Sequence, residues 1–183
     1  TTTIANMAIT YANLGKKTLL IDTDLRKPVL NKVFNIKKEP GLTNYIVGED
    51  QSLDSIINKT EVKNLDVISS GIIPPNPSEL IDSNKMQELI EKLKEKYDMI
   101  LFDTPPIVAV TDALILSKYI DKFILVCRSG VTELGALERV LKNIEQVNSK
   151  LDGTILNAID ADNRYGSGYY YNYYQYYYGN SDK

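Results

Sequence analysis

Two carboxylates one residue apart, Asp22 and Asp24, close the apolar run Leu19-Leu20-Ile21, and Arg26, Lys27 and Pro28 follow at once. The residues before Asp22 read as a buried strand, short and aliphatic, entered from the charged turn Gly15-Lys16-Lys17. Side chains alternate along a strand or its extended exit, so positions 22 and 24 point to one side. The two acids then converge beyond the strand's carboxyl end, where open α/β sheets bind ligands. Carboxylates that close repel one another unless a cation lies between them, and Mg²⁺ with a phosphate suits the place because it prefers one or two carboxylates plus phosphate oxygens. A third acid, Asp103, ends the hydrophobic run Ile100-Leu101-Phe102 and leads into Thr104-Pro105-Pro106. An apolar strand ending in Asp is how phosphate-binding ATPases set a carboxylate near Mg²⁺ (the Walker B pattern). The chain opens on Thr1-Thr2-Thr3. A phosphate-binding loop reads G-x-x-x-x-G-K-[ST] and runs into a helix, so Thr1 stands where that motif's last hydroxyl falls. The motif's glycines and lysine are not among these residues, and the sequence reads as a fragment.

Composition narrows the chemistry further. The 183 residues include no histidine and a single cysteine, Cys127. Ser-His-Asp and Cys-His catalysis, histidine-ligated metals and cysteine-built zinc sites are therefore excluded. Carboxylates, Lys/Arg, hydroxyls, backbone amides and a hard cation remain. Cys127 lies in the apolar run from Phe123 and reads as a small core residue, in keeping with a reducing, cytoplasmic setting. With 43% hydrophobic and 25% charged residues, the chain fits one globular domain with a sizeable core. A net charge of −3 points to neither nucleic acid nor an anionic membrane as a general partner. No run approaches transmembrane length and no signal peptide is visible.

The elements that must position these acids alternate between strand and helix. Helical spacing over 4–14 uses Ile4, Met7, Ala8, Tyr11 and Ala12, with Gly15 just past the end. Short helical pieces are expected at 29–34 and 53–58, around the turn Pro40-Gly41. A strand follows at 65–69. Asn76 then caps a helix with Pro77 in its first position, and Met86, Leu89, Ile90 and Leu93 mark another. Strands at 99–103, 123–127 and 153–157 are separated by helices capped by Thr111 and Thr132. This order predicts an α/β fold, a mostly parallel sheet covered by helices on both faces. The domain is read as residues 1–164. Residues 165–183 form a separate, flexible tail holding nine of the thirteen tyrosines: Tyr165, Tyr169, Tyr170, Tyr171, Tyr173, Tyr174, Tyr176, Tyr177 and Tyr178.

The segments 21–28, Pro74 to Ile81, Phe102 to Pro106 and Ile155-Leu156-Asn157, followed by the tyrosine cluster, together resemble the bacterial tyrosine kinases of capsular and exopolysaccharide synthesis. The resemblance spans essentially the whole chain and implies a P-loop fold of the MinD/ParA type with a Walker A′ motif. It implies that Asp22, Asp24 and Asp103 are catalytic and, with the Thr1 hydroxyl, hold Mg²⁺·ATP. Thr2 would lie beside the phosphates and Asn157 at the adenine. The tail tyrosines would accept phosphate from a neighbouring subunit in a ring. The implied partners are a transmembrane activator of the polysaccharide co-polymerase type, fused or separate, and a phosphotyrosine phosphatase. That would place the protein at the inner face of the cell membrane. The family's first strand, glycine-rich loop and lysine have no counterpart in these residues, so the fragment alone is expected to be inactive. A positioning ATPase of the same fold, without kinase activity, is the competing expectation.

Overall fold

The computed structural model describes residues 1–48 and 52–159. In chain order the elements are α1 (Thr2–Asn13), β1 (Thr18–Asp22), α2 (Leu30–Val33), α3 (Leu42–Val47), α4 (Leu53–Ile56), β2 (Ile57–Lys59), β3 (Leu65–Ile68), α5 (Pro77–Ile81), α6 (Asn84–Lys94), β4 (Met99–Asp103), α7 (Asp112–Leu116), β5 (Ile124–Arg128), α8 (Leu134–Gln146) and β6 (Gly153–Asn157). One sheet runs β2-β3-β1-β4, parallel except for β2, which pairs antiparallel with β3; a second sheet is the parallel pair β5-β6. The tyrosine-rich tail expected over 165–183 lies outside the described residues.

Every residue of β1 is buried, as a strand between two helical layers must be. Leu20 joins Leu65 and Val67 under Ala5, Ala8 and Ala12 of α1, whose small side chains let the helix sit close to the sheet. Leu19, Ile21 and Ile68 face the other way, against Leu42 and Ile46 of α3 and Met86, Leu89, Ile90 and Leu93 of α6. A smaller core joins Leu114 to Val140 and Ile144 of α8. Cys127 is buried and unpaired, as its apolar setting predicts.

Three expectations are corrected. The helix read over 53–58 stops at Ile56, and Ile57 to Lys59 become strand because pairing with Asp66 to Ile68 satisfies their backbone. Helix α3 was not anticipated; Asn44 accepts from the Gly41 amide at its start, at 3.0 Å. Finally, Asn76 and Thr111 stand at the expected N-caps but make no side-chain cap bond, and Glu133 rather than Thr132 is the N-cap of α8. Asn76 turns to Glu79, and Thr132 Oγ1 accepts instead from the Arg128 amide at 2.9 Å.

The single expected sheet is divided. Between β4 and β5 runs an apolar slot of about 560 Å³. Ile100 and Phe102 line it from β4, Ile124 and Val126 from β5, Ile4 and Met7 from α1, and Leu116 from α7. Both flanking strands are edges of their sheets, and an edge strand presents unpaired backbone groups along one side.

Candidate nucleotide and phosphoryl-transfer site

Strands β1 and β4 run side by side, with Asp22 directly across from Asp103 at the end of the ladder. Parity along each strand puts these two carboxyls on the same face as Leu20 and Leu101, the face that α1 covers. The start of α1 is beside them, with the backbone nitrogen of Thr1 3.3 Å from Asp103 Oδ1. The first amides of any helix lack intrahelical partners and carry partial positive charge, so this helix end and the two acids together form a place for a metal-bound phosphate.

Asp22 is fully buried and Asp103 is 4% exposed. Asp22 Oδ2 accepts from the Leu30 amide at 3.1 Å. Among the described residues, Asp22 Oδ1 and Asp103 Oδ2 are buried with no hydrogen-bond partner, an arrangement that costs free energy in the protein alone. Burial pushes the Asp22 carboxyl up to about 7; the Leu30 amide opposes the shift, and the charges of Asp103 and Asp24 add to it. Such a pair suits a hard cation, which would satisfy both orphaned oxygens and relieve the repulsion.

Asp24 is placed differently. The alternation expected to carry it alongside Asp22 ends with the strand, and the chain turns. Asp24 Oδ1 accepts from its own turn, from the amides of Arg26 at 3.2 Å and Lys27 at 2.9 Å. Among the described residues no group of three or more His, Cys, Asp or Glu side chains could hold a metal by itself. Mg²⁺ does not require one, since it usually keeps waters and takes phosphate oxygens beside one or two carboxylates.

Along α1 a recess of about 410 Å³ is lined by Thr2, Thr3, Asn6, Tyr11 and Asn157, among others. Asn157 ends β6 and donates to Thr3 Oγ1 at 3.2 Å, while its Oδ1 accepts from the Ala158 amide at 2.8 Å. Thr1, Asp22 and Asp103 therefore gather at one end of α1, and Thr2 with Asn157 at the adjoining recess. Two anchors escaped the sequence reading. Thr23 Oγ1 donates to the Asp103 carbonyl at 2.6 Å, tying the acid loop to β4. Arg26 reaches Asp112, 86 residues away. The cations after Asp24 were a visible signal, but nothing near Asp112 marked it as the partner.

The AAA domain family matches residues 1–157. The tyrosine-protein kinase YwqD of Bacillus subtilis is 42% identical over 169 residues, 92% of this chain and 71% of that protein. The chain spans only 22% and 24% of other curated relatives also named tyrosine-protein kinases. Among solved structures, the kinase domain of the Escherichia coli tyrosine kinase ETK is 33% identical with a TM-score of 0.82, over 91% of this chain and 66% of that one. The septum site-determining protein MinD of Pyrococcus horikoshii, complexed with Mg-ADP, is 26% identical with a TM-score of 0.67, over 91% and 65%.

Proposed function

The chain belongs to the bacterial tyrosine-protein kinases, and from that premise we propose that it transfers the γ-phosphate of ATP to protein tyrosine. The acceptors are Tyr165, Tyr169, Tyr170, Tyr171, Tyr173, Tyr174, Tyr176, Tyr177 and Tyr178 on another copy of the chain. The observation that carries the reading is the buried pair Asp22 and Asp103, each with an orphaned oxygen, at the start of α1. In this reading Asp22, Asp103 and the Thr1 hydroxyl would hold Mg²⁺, while Asp24, expected to join them, shapes the turn beside them by accepting from the Arg26 and Lys27 amides. A metal ion held there would supply charge neutralisation for the transferring phosphoryl group. Thr2 lies beside the phosphates, and the Asn157 amide, which can both donate and accept, meets the adenine edge. Asp22 also takes the proton of the incoming tyrosine hydroxyl. That hydroxyl, with an ordinary pKa near 10, is a poor nucleophile unaided and needs a nearby carboxylate to accept its proton.

The slot between β4 and β5 supports a domain that takes one more parallel strand there, the strand that leads into the family's phosphate-binding loop. Its apolar lining and two flanking strand edges are what such a strand requires. We further propose that the kinase works in a ring at the inner face of the cell membrane. It would be activated by a transmembrane partner of the polysaccharide co-polymerase type, reversed by a phosphotyrosine phosphatase, and would regulate capsular or extracellular polysaccharide export. Among the described residues no helix is long and apolar enough to cross a membrane.

The likeness to MinD favours a second reading, an ATPase that switches assembly states without modifying tyrosine. Incubating the full-length protein with ATP and Mg²⁺ and mapping phosphotyrosine separates the two. Phosphate on the 165–178 cluster is expected; ATP hydrolysis with no phosphotyrosine would establish the second reading instead.

A further inference from the structure

The loop carrying the acids is gripped from outside by a fully buried carboxylate. Asp112, the first residue of α7, has a side chain with no exposed surface. Its Oδ2 accepts from Arg26 Nε at 2.9 Å and its Oδ1 from Arg26 Nη2 at 3.2 Å. Ser78 of α5 completes the clamp, donating to Asp112 Oδ1 at 2.6 Å and accepting from Arg26 Nη2 at 3.2 Å. The segments that follow β1, β3 and β4 are thereby joined at the sheet edge where Asp22 and Asp103 stand. The same loop is held from inside by Thr23 on the Asp103 carbonyl, the Leu30 amide on Asp22, and the buried Leu25 side chain. Arg26 is the outer point, and its own amide donates to Asp24.

The pair is only half-buried, with the Arg26 side chain 38% exposed, and a partly exposed ion pair contributes little to stability alone. A forked guanidinium–carboxylate pair does something an apolar contact does not, fixing direction as well as distance. We propose that Asp112 is a positioning residue for phosphoryl transfer, holding through Arg26 the turn that aims Asp22 and Asp24. Its contribution to catalysis rests on the kinase reading; its mechanical part does not.

The test uses Asp112→Asn in the full-length enzyme, with two readouts. Without nucleotide, the amides of Arg26, Lys27 and Leu30, which donate to Asp24 and Asp22, should exchange with solvent at least about tenfold faster, while amides of α6 are unchanged. With ATP and Mg²⁺, kcat for tyrosine phosphorylation should fall at least about tenfold while KM for ATP stays within about threefold, the signature of lost alignment rather than lost binding. Unchanged exchange in the loop overturns the proposal. So does acceleration everywhere, which makes Asp112 a plain stability residue, and so does an intact kcat. Should Asp112→Asn fail to fold, Arg26→Lys carries the same test, because it keeps the charge and loses the fork. A loosened loop in an enzyme whose wild type makes no phosphotyrosine supports the clamp and overturns the kinase reading. A protected loop in an active kinase overturns the clamp alone.

Discussion

Replacing Asp22 by Asn should make the isolated domain more stable as it destroys the kinase, and the gain should depend on pH. The carboxyl titrates at 3.8 ordinarily and at about 7 in the fold, chiefly because burial disfavours its charge. A carboxyl raised in this way gives the folded state its full advantage below pH 3.8, and that advantage is lost as the pH climbs towards about 7. Wild type should thus weaken relative to Asp22→Asn over this window, by about 1 kcal/mol at about pH 4.5 and about 4 kcal/mol at about pH 8.5. The amide keeps an oxygen for the Leu30 N–H and removes the like charge facing Asp103, so no compensating loss is built in. For a domain of this size the gap corresponds to ~2–4 °C in midpoint at the acid end and ~8–16 °C at the alkaline end. Thermal unfolding of both proteins across that range, without nucleotide or divalent cation, measures it. Saturating Mg²⁺·ATP should narrow the alkaline gap, since only the wild-type site supplies the full anionic set. A gap that is flat with pH, or a variant less stable than wild type at high pH, would refute the account of Asp22 as a buried charge awaiting a cation.

Other outcomes are expected at separate points of the molecule. Asn157→Ala should weaken nucleotide binding by about 1 kcal/mol, close to a fivefold rise in Kd by titration calorimetry; unchanged affinity would make Asn157 a turn residue only. Gly41→Ala should cost about 2–3 kcal/mol in urea unfolding, because its Cβ would collide with the Gly71 amide and the Ser69 carbonyl where the two segments run together. Mixing a kinase-dead full-length protein that keeps its tail with an active one whose tail tyrosines are Phe should put phosphate on the dead partner, and its absence would mean transfer within one chain. Each phosphate adds about −1.5 to −2 charge near the acid site, so the phosphorylated enzyme should sediment as a smaller assembly than the dephosphorylated one.

Local spacing decided much of this protein. The apolar period placed α1, α6 and α8, the short aliphatic runs placed β1, β3 and β4, and the acids closing two of those runs identified the sheet edge where a phosphate site belongs. These signals are legible because helix faces, strand ends and turn glycines depend on neighbours a few residues away. The tertiary structure decided what depends on partners distant in the chain. It set Asp22 opposite Asp103 through a register of parallel strands, and it raised the Asp22 carboxyl because α1 and the sheet shut out water. It turned Asp24 back on its own amides and converted Ile57 and Asn58 from helix to strand because β3 offered a ladder. It also joined Arg26 to Asp112 across 86 residues. Desolvation, register and buried pairing are properties of the packed sheet and helices, and no window of sequence contains them.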